Sequence, residues 1–173
     1  MSRDLTLDAI VDDGRFTGDD GSAWWAGGYQ LVDSSTGRFL ARDAPELDRI
    51  GVLVTRVAGA GFKHEALQGD QFSPGRPLRL RPDPDNEHDP DAVGVWDAEG
   101  RAQAGWIPRQ LAPRVAGSFR AGQPLGALVL REFRRESRRG ERVNLSILVA
   151  PVGSLTLRLD QDVDEDDIAV DIA

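Results

Sequence analysis

The stretch that decides the fold is Arg79-Leu-Arg-Pro-Asp-Pro-Asp-Asn-Glu-His-Asp-Pro-Asp-Ala-Val-Gly-Val-Trp96, followed closely by Ala104-Gly-Trp-Ile-Pro-Arg-Gln-Leu-Ala112. An alternating strand enters a polar loop rich in proline, aspartate and asparagine, and a second strand leaves that loop. Such a loop holds a few polar side chains in a fixed pose at the mouth of a β-structure, and binding sites tend to lie on ordered loops of this kind. The pattern indicates recognition of a small polar feature rather than a reaction.

Further short strands are predicted on both sides of this stretch, from β-branched apolar runs and from alternation with a period of two. The predicted strands are residues 52–58, 78–81, 92–96, 102–107, 125–130 and 143–149, the last two joined by an arginine-rich link at 131–142. Pro108 is expected to open one short helix, which must break or restart at Pro113. Many short strands with one short helix indicate a small β-barrel or sandwich.

The composition bounds the class of protein. At 173 residues, with 40% of them apolar, the chain fits one domain with extensions and can bury a proper core. The absence of cysteine excludes a disulfide framework and a thiolate zinc site. No apolar run approaches the ~18–20 residues that span a membrane, and the start lacks a signal peptide's apolar region. We therefore expect a soluble, cytoplasmic protein with no membrane partner, and the preference for arginine over lysine is typical of a GC-rich bacterial source.

Charge is distributed unevenly along the chain. Residues 1–50 carry a net charge of −5, residues 51–150 carry +3 and residues 151–173 carry −6. The sequence predicts an accessory N-terminal segment at 1–50 that contains a hairpin, a β-barrel domain at 51–151, and an acidic, disordered tail at 152–173. A mildly basic central domain permits a polyanionic ligand without demanding one.

No arrangement of catalytic residues is visible in the sequence. The chain has two histidines, His64 and His88, and lacks a nucleophile elbow, a P-loop and a dinucleotide fingerprint. The four aspartates within residues 83–91 could hold a hard cation, but the spacing lacks the glycine and glutamate of a calcium loop. The alternative is an Asx-turn network in which Asn86 and Asp89 bond the loop's own backbone. We therefore expect neither catalysis nor a resident metal or cofactor.

Aromatic and arginine side chains are interleaved through the central domain, as they are in proteins that bind single strands. Those proteins combine a positive groove with rings on which bases stack, each stack contributing ~1–3 kcal/mol. Trp96 and Trp106 fit a barrel core as well as they fit a stacking platform. The six arginines and three glutamates within residues 131–142 fit a solvated, internally paired hairpin tip. Phe62, in a loop-like segment, is the least core-like aromatic residue.

Residues 51–151 resemble the HIRAN domain. The resemblance is carried by Val57-Ala-Gly-Ala-Gly-Phe62, by the pattern Asn86-x-x-Asp89-x-x-Ala92 in the polar loop, and by Gly105-Trp-Ile-Pro-Arg109 after a hairpin. It implies an all-β fold with one or two short helices, a modified OB-like β-barrel. It leaves the N-terminal segment and the acidic tail unexplained.

The resemblance also implies a function. DNA-binding members of the family capture the 3′ end of single-stranded DNA, and members accompany helicases and nucleases in repair or replication-fork processing. An aromatic residue after the Val-x-Gly segment, here Phe62, stacks on the terminal base, and the loop aspartate, here Asp89, receives the free 3′-hydroxyl. A carboxylate accepts that hydrogen bond and repels a continuing phosphate. The implied DNA-binding residues are Phe62, Lys63, Asn86, His88, Asp89, Arg109 and Phe133.

Some of these residues have narrower implied roles. Asn86 holds the loop or contacts the sugar, Arg109 meets a backbone phosphate, and Phe133 corresponds to a late aromatic platform. The chain departs from the family pattern at two positions, because His88 stands where a tyrosine is frequent and Gly61 stands where a basic residue precedes the first aromatic. A histidine can still stack, whereas the missing base weakens the affinity that the resemblance implies.

Three functions stay open from the sequence alone. The first is a non-catalytic module that binds single-stranded DNA ends beside a partner helicase or nuclease, with the acidic tail as an internal competitor. The second is a protein-interaction or regulatory domain on the same barrel, which Gly61 and the net charge of −8 favour. The third is a metal-dependent hydrolase built on residues 83–91, whose activity a chelator would abolish.

Overall fold

The computed structural model describes residues 5–159 and 169–171. Strands predominate in it, and the mainly β fold class predicted from the sequence is confirmed. The strands are β1 (Leu5–Val11), β2 (Gly14–Thr17), β3 (Ala23–Asp33), β4 (Phe39–Leu40), β5 (Leu53–Arg56), β6 (Pro77–Pro82), β7 (Val93–Asp97), β8 (Gln103–Trp106), β9 (Leu125–Arg135), β10 (Arg142–Pro151), β11 (Leu155–Leu159) and β12 (Ala169–Asp171). The helices are α1 (Pro45–Arg49), α2 (His64–Leu67) and α3 (Ala112–Arg120), with 3₁₀ turns at Ala60–Lys63 and Asp70–Phe72.

An OB-like barrel occupies the central part of the chain. Its wall pairs neighbouring strands in the order β5, β10, β9, β6, β7 and β8, and every pair is antiparallel. This ladder does not close on itself. Across the gap, an isolated antiparallel bridge joins Ala58, just after β5, to Trp106 at the end of β8. A partly open barrel of this kind is typical of OB folds.

The interior of the barrel is filled by alternate residues of its strands. Leu78 and Leu80 of β6 are buried, whereas Arg79 between them is exposed, as the period-two pattern predicts. Val93, Val129, Ile147 and further apolar residues complete this core. Each fully buried aliphatic side chain contributes about 1.5–3 kcal/mol to folding, so the barrel has a core of its own.

The residues before β5, together with β11 and β12, add a second layer. β3 links this layer to the barrel, because its residues 29–33 pair with β1 and its residues 24–28 pair with β9. β11 lies parallel to β1 on the other side. A second apolar core fills the space between this layer and the outer face of the barrel wall, and its members include Leu7, Leu31, Leu47, Val54, Leu130 and Leu148.

The structure differs from the sequence expectations for the helix and the arginine-rich link. The helix begins at Ala112 rather than at Pro108, because Pro113 occupies its first turn, where a missing N–H costs nothing. Residues 108–112 form a separate turn, in which Leu111 N–H donates to the Pro108 carbonyl oxygen at 2.9 Å. Much of the predicted 131–142 link belongs to strands, since β9 continues to Arg135 and β10 begins at Arg142.

The tail also differs from its sequence expectation where it is described. Residues 155–159, within the tail predicted to be disordered, form β11, with Leu155 and Leu157 buried against β1. The apolar alternation there is short and precedes an acidic run, so composition alone favoured disorder. The predicted disorder of residues 160–168, 172 and 173 lies outside the described residues. No helix in the described ranges is long and apolar enough to cross a membrane.

Candidate nucleic-acid interface

The polar loop between β6 and β7 is held by hydrogen bonds within itself. Asn86 Oδ1 accepts the backbone N–H groups of His88 at 3.0 Å and of Asp89 at 3.1 Å. The Asn86 amide also donates to Asp83 Oδ2 at 3.2 Å. Asp89 Oδ1 in turn accepts the N–H of Asp91 at 2.9 Å. The Asx-turn network that the sequence offered as an alternative is therefore present, and Asn86 holds the loop.

This network orients the Asp89 carboxylate without exhausting it. An ionised carboxylate has two oxygens with about four lone-pair sites, and one of them receives the N–H of Asp91. The Asp89 side chain is half-buried, while His88 beside it is exposed. The loop thus presents a carboxylate fixed from behind and an imidazole open to solvent.

Phe62 projects from the barrel on a short 3₁₀ turn. The turn is closed by the Phe62 N–H, which donates to the Gly59 carbonyl oxygen at 3.1 Å. Ala60 of the same turn is buried and Lys63 is half-buried, whereas the Phe62 side chain is 93% exposed. The turn is therefore anchored at its start and offers a bare aromatic ring to solvent.

Backbone hydrogen bonds bring the turn and the loop to one end of the barrel. Ala58, just before the turn, exchanges two N–H···O bonds of 2.8 Å with Trp106. Ile107 N–H then donates to the carbonyl oxygen of Val93 at 2.9 Å, and Val93 is the first residue after the loop. The 3₁₀ turn, the polar loop and the end of β8 therefore meet there, which we call the barrel end.

Gly105 permits the close approach at the barrel end. Its φ is +153°, and a Cβ at this position would lie 2.3 Å from the Ala58 carbonyl oxygen. No side chain fits that space. The glycine that precedes Trp106 in the sequence pattern is thus explained by the bridge that carries Phe62 towards β8.

Arg109 lies directly beyond the end of β8 and is exposed. It belongs to the turn between β8 and α3, so it adds a cation to the barrel end. The polar loop is also tied to α3, because Arg120 Nη1 contacts Asp91 Oδ1 at 2.8 Å. The barrel end thus brings together six of the residues predicted from the sequence, namely Phe62, Lys63, Asn86, His88, Asp89 and Arg109.

Phe133 lies elsewhere. It is half-buried on β9, with the Arg56 guanidinium 4.3 Å from the centre of its ring. It lines a cavity between the barrel wall and the second layer, together with Tyr29 and other residues of the N-terminal segment. The sequence could not place this residue, because strand register decides which face of β9 it occupies.

Sequence reasoning missed a buried ion pair beside α2. Arg142, assigned to a solvated hairpin tip, is 2% exposed, and its Nε lies 2.6 Å from Glu132 Oε2. Its Nη1 donates to the carbonyl oxygens of Leu67 at 2.6 Å and Gly69 at 2.8 Å. This arginine therefore anchors the end of α2, the helix that follows the Phe62 turn. Nothing in an arginine-rich run distinguishes the member that is buried.

Clusters that could hold a metal were sought in the described part of the chain. No group of three or more histidine, cysteine, aspartate or glutamate side chains there has a suitable arrangement. The polar loop uses its aspartates and its asparagine in bonds to its own backbone and to one another.

A partly open β-barrel that displays a fixed polar loop, an exposed ring and a cation at one end has the build of a nucleic-acid-binding module. The family model of the HIRAN domain matches residues 50–155, and the chain belongs to the HIRAN domain family. The HIRAN domain is a DNA-binding module and is generally non-catalytic.

Comparison with solved structures gave two similar proteins. One is a protein from Lactobacillus plantarum, 19% identical, whose alignment covers 57% of this chain and 91% of that one with a TM-score of 0.44. The other is the HIRAN domain of human HLTF, 18% identical, with 59% of this chain and 77% of that one covered and a TM-score of 0.43. No curated protein matched the chain.

Proposed function

We propose that this protein is a non-catalytic module that binds the 3′ end of single-stranded DNA at the barrel end. The observation that carries the proposal is Phe62, whose ring is 93% exposed on an anchored turn. An exposed large apolar side chain costs solubility, so it is expected where a partner covers it. A nucleobase is a suitable partner, because stacking on one aromatic side chain contributes about 1–3 kcal/mol whatever the base.

Asp89 supplies the preference for an end over an internal position. Its carboxylate is held by the loop and retains acceptor sites for the hydrogen of a 3′-hydroxyl. A 3′-phosphate or a continuing strand would instead place a negative charge against the carboxylate, which disfavours both. The loop therefore recognises a terminal sugar by accepting its proton.

The cations and the imidazole at the barrel end would contact the rest of the terminal nucleotides. Arg109 is exposed beside the loop and is placed to meet a backbone phosphate, with Lys63 as a second, weaker cation. His88 is exposed and offers a ring for stacking or a donor to the sugar. Such a module would act with a partner helicase or nuclease that processes DNA ends in repair or at replication forks.

The test is binding of a short labelled single strand by fluorescence anisotropy at low salt. Strands with a 3′-hydroxyl and with a 3′-phosphate are compared on wild type and on Phe62→Ala, with Phe39→Ala as the matched control. Phe39 is also an exposed phenylalanine, 62% exposed, but it lies on β4 in the second layer. We expect Phe62→Ala to weaken binding by roughly 5- to 150-fold, the loss of one stack. Phe39→Ala should bind as wild type does.

Asp89→Asn tests the end preference separately. The amide oxygen can still accept the N–H of Asp91, so the loop should persist while the negative charge is removed. We expect the variant to bind 3′-hydroxyl and 3′-phosphate strands alike, and the exposed loop residue Asp85→Asn to keep the preference. Equal binding of both strands by wild type would refute end recognition. If no strand binds at all, the barrel end binds a protein partner instead.

A further inference from the structure

A cavity of about 290 Å³ lies between the second layer and the outer face of the barrel wall. Tyr29 and Arg42 line it from the second layer, and Arg56, Arg131 and Phe133 line it from the wall. Phe62, Asp89 and Arg109 do not contribute to it. The cavity is therefore separate from the barrel end, and it exists only because the N-terminal segment packs on the barrel.

A β-bulge in β9 builds the wall side of this cavity. Ser146 of β10 pairs with Arg131, whereas the next residue, Ile147, pairs with Val129, so Leu130 is extra in the ladder. The bulge changes which side chains face outwards and directs both Arg131 and Phe133 into the cavity. Bulges of this kind are frequent beside binding sites because they re-aim side chains.

The second layer fits closely against this bulge. Gly28 of β3 lies opposite Arg131, with a φ of +137°. A Cβ on Gly28 would lie 2.4 Å from the Leu130 carbonyl oxygen. Only glycine allows β3 to approach so closely. The N-terminal segment is thus shaped to seal one side of the cavity.

The cavity carries an excess of positive charge. Arg131 is neutralised by Asp12, whose carboxylate is 2.6 Å away. Arg42 and Arg56, in contrast, form no ion pair with any carboxylate of the described residues. A guanidinium binds phosphate with two parallel hydrogen bonds. Two such groups lining one cavity favour a phosphate ligand.

Flat side chains line the same cavity. The Arg56 guanidinium lies 4.3 Å from the centre of the Phe133 ring, which leaves a planar surface of the kind on which bases stack. Burial raises the pKa of Tyr29, so its hydroxyl keeps its proton at neutral pH and can donate a hydrogen bond. A ligand that combines a planar ring with a phosphate matches both features.

We propose that this cavity binds a nucleoside phosphate, with the phosphate on Arg42 and Arg56 and the base against Phe133 and Tyr29. The unit is either a free mononucleotide or one nucleotide of a single strand, and both sources share this chemistry. The site goes beyond the proposed end recognition, because it uses neither Phe62 nor Asp89.

The experiment is a calorimetric titration of the full chain at low salt with dTMP, thymidine and inorganic phosphate. Wild type is compared with Arg56→Gln and Phe133→Leu. Arg79→Gln is the matched control for charge, because Arg79 is an exposed arginine on β6, and Phe62→Ala is the control for the barrel end. We expect dTMP to bind more tightly than either fragment, and its affinity to fall about tenfold or more in both cavity variants. Both controls should bind dTMP as wild type does.

A thymidine oligonucleotide with a 3′-phosphate distinguishes the two sources, since its blocked end is disfavoured at Asp89. Affinity for this strand that falls in Arg56→Gln and Phe133→Leu, without binding of dTMP, would assign the site to a strand. The proposal is overturned if neither ligand binds, or if both cavity variants bind each ligand as tightly as wild type. Loss of binding in Phe62→Ala alone would overturn it too, and would support only the barrel end.

Discussion

Replacing Arg142 with methionine removes the cation from a buried ion pair and leaves its partner behind. Glu132 is 7% exposed, and the Arg142 Nε lies 2.6 Å from its Oε2. Arg134 Nε is 3.1 Å from the other carboxylate oxygen, but it is a buried atom without hydrogen-bond geometry. We judge Arg134 a poor substitute for this reason, although the distance alone would count as an ion pair. The Glu132 charge would stay buried with little compensation.

The size of the effect follows from this geometry. Removal of one partner of a buried ion pair costs about 3–5 kcal/mol. Arg142 also donates to the carbonyl oxygens of Leu67 and Gly69, which lose their donors in the variant. We therefore expect Arg142→Met to destabilise the protein by about 4–5 kcal/mol, towards the upper end of that range. Exposed Arg139, on the same hairpin, should tolerate methionine within about 0.5 kcal/mol.

The assay is urea unfolding followed by tryptophan fluorescence, for which the chain has four tryptophans. The double variant Arg142→Met, Glu132→Leu supplies the decisive comparison, because it removes the uncompensated charge as well as the cation. We expect it to recover about 2 kcal/mol relative to Arg142→Met, with the two carbonyl oxygens still lacking donors. A double variant no more stable than the single one would refute the electrostatic reasoning, and so would a single variant that unfolds like Arg139→Met.

Three further predictions concern the barrel end and the hairpin between β3 and β4. Gly105→Ala should lower the free energy of unfolding by more than about 1 kcal/mol, because its Cβ would lie 2.3 Å from the Ala58 carbonyl oxygen. Gly61→Ala is its control, since a Cβ there meets nothing within 4 Å, and equal effects in denaturant unfolding would contradict the close-approach argument. Phe62→Ala should leave the unfolding free energy within about 0.5 kcal/mol of wild type, because the ring packs on little of the protein; a larger loss would mean that the ring has a structural role. The pKa of Asp33 is held below its ordinary value, first by the Ser35 hydroxyl and then by the Ser35 backbone N–H, so Ser35→Ala should raise that pKa in an NMR titration. Because the pKa is lowered in the folded state, this carboxylate stabilises the hairpin above its ordinary pKa, and the contribution is lost as pH falls through the folded value.

The alternation and turn residues of the sequence were enough to predict the barrel strands. Leu78 and Leu80 are buried while Arg79 is exposed, and the hairpin of β7 and β8 lies where a polar turn separates two apolar runs. These predictions succeed because the period of side chains along a strand is a local property. The start of α3 was wrong, since two prolines five residues apart each fit a first turn.

The residues of the barrel end were nameable from the sequence pattern for a similar reason. The polar loop closes on itself through Asn86 and Asp89, which are three residues apart, so its form depends on neighbours in the chain. The exposure of Phe62 was also suggested by its glycine-rich surroundings. Composition gave less for the tail, where Leu155 and Leu157 are buried only because β1 is available to pair with them.

The sequence by itself determined the strand pattern, the internal bonds of the polar loop and the family, because these depend on residue types at short spacing. Only the tertiary structure decided which arginine of the hairpin is buried, which face of β9 carries Phe133, and that Gly28 and the Leu130 bulge lie together. Those features depend on strand register and on contacts between residues more than 60 positions apart, such as Arg142 with Leu67. A one-residue shift of register moves a side chain to the opposite face of a sheet. Local spacing carries no information about that shift until the chain has folded.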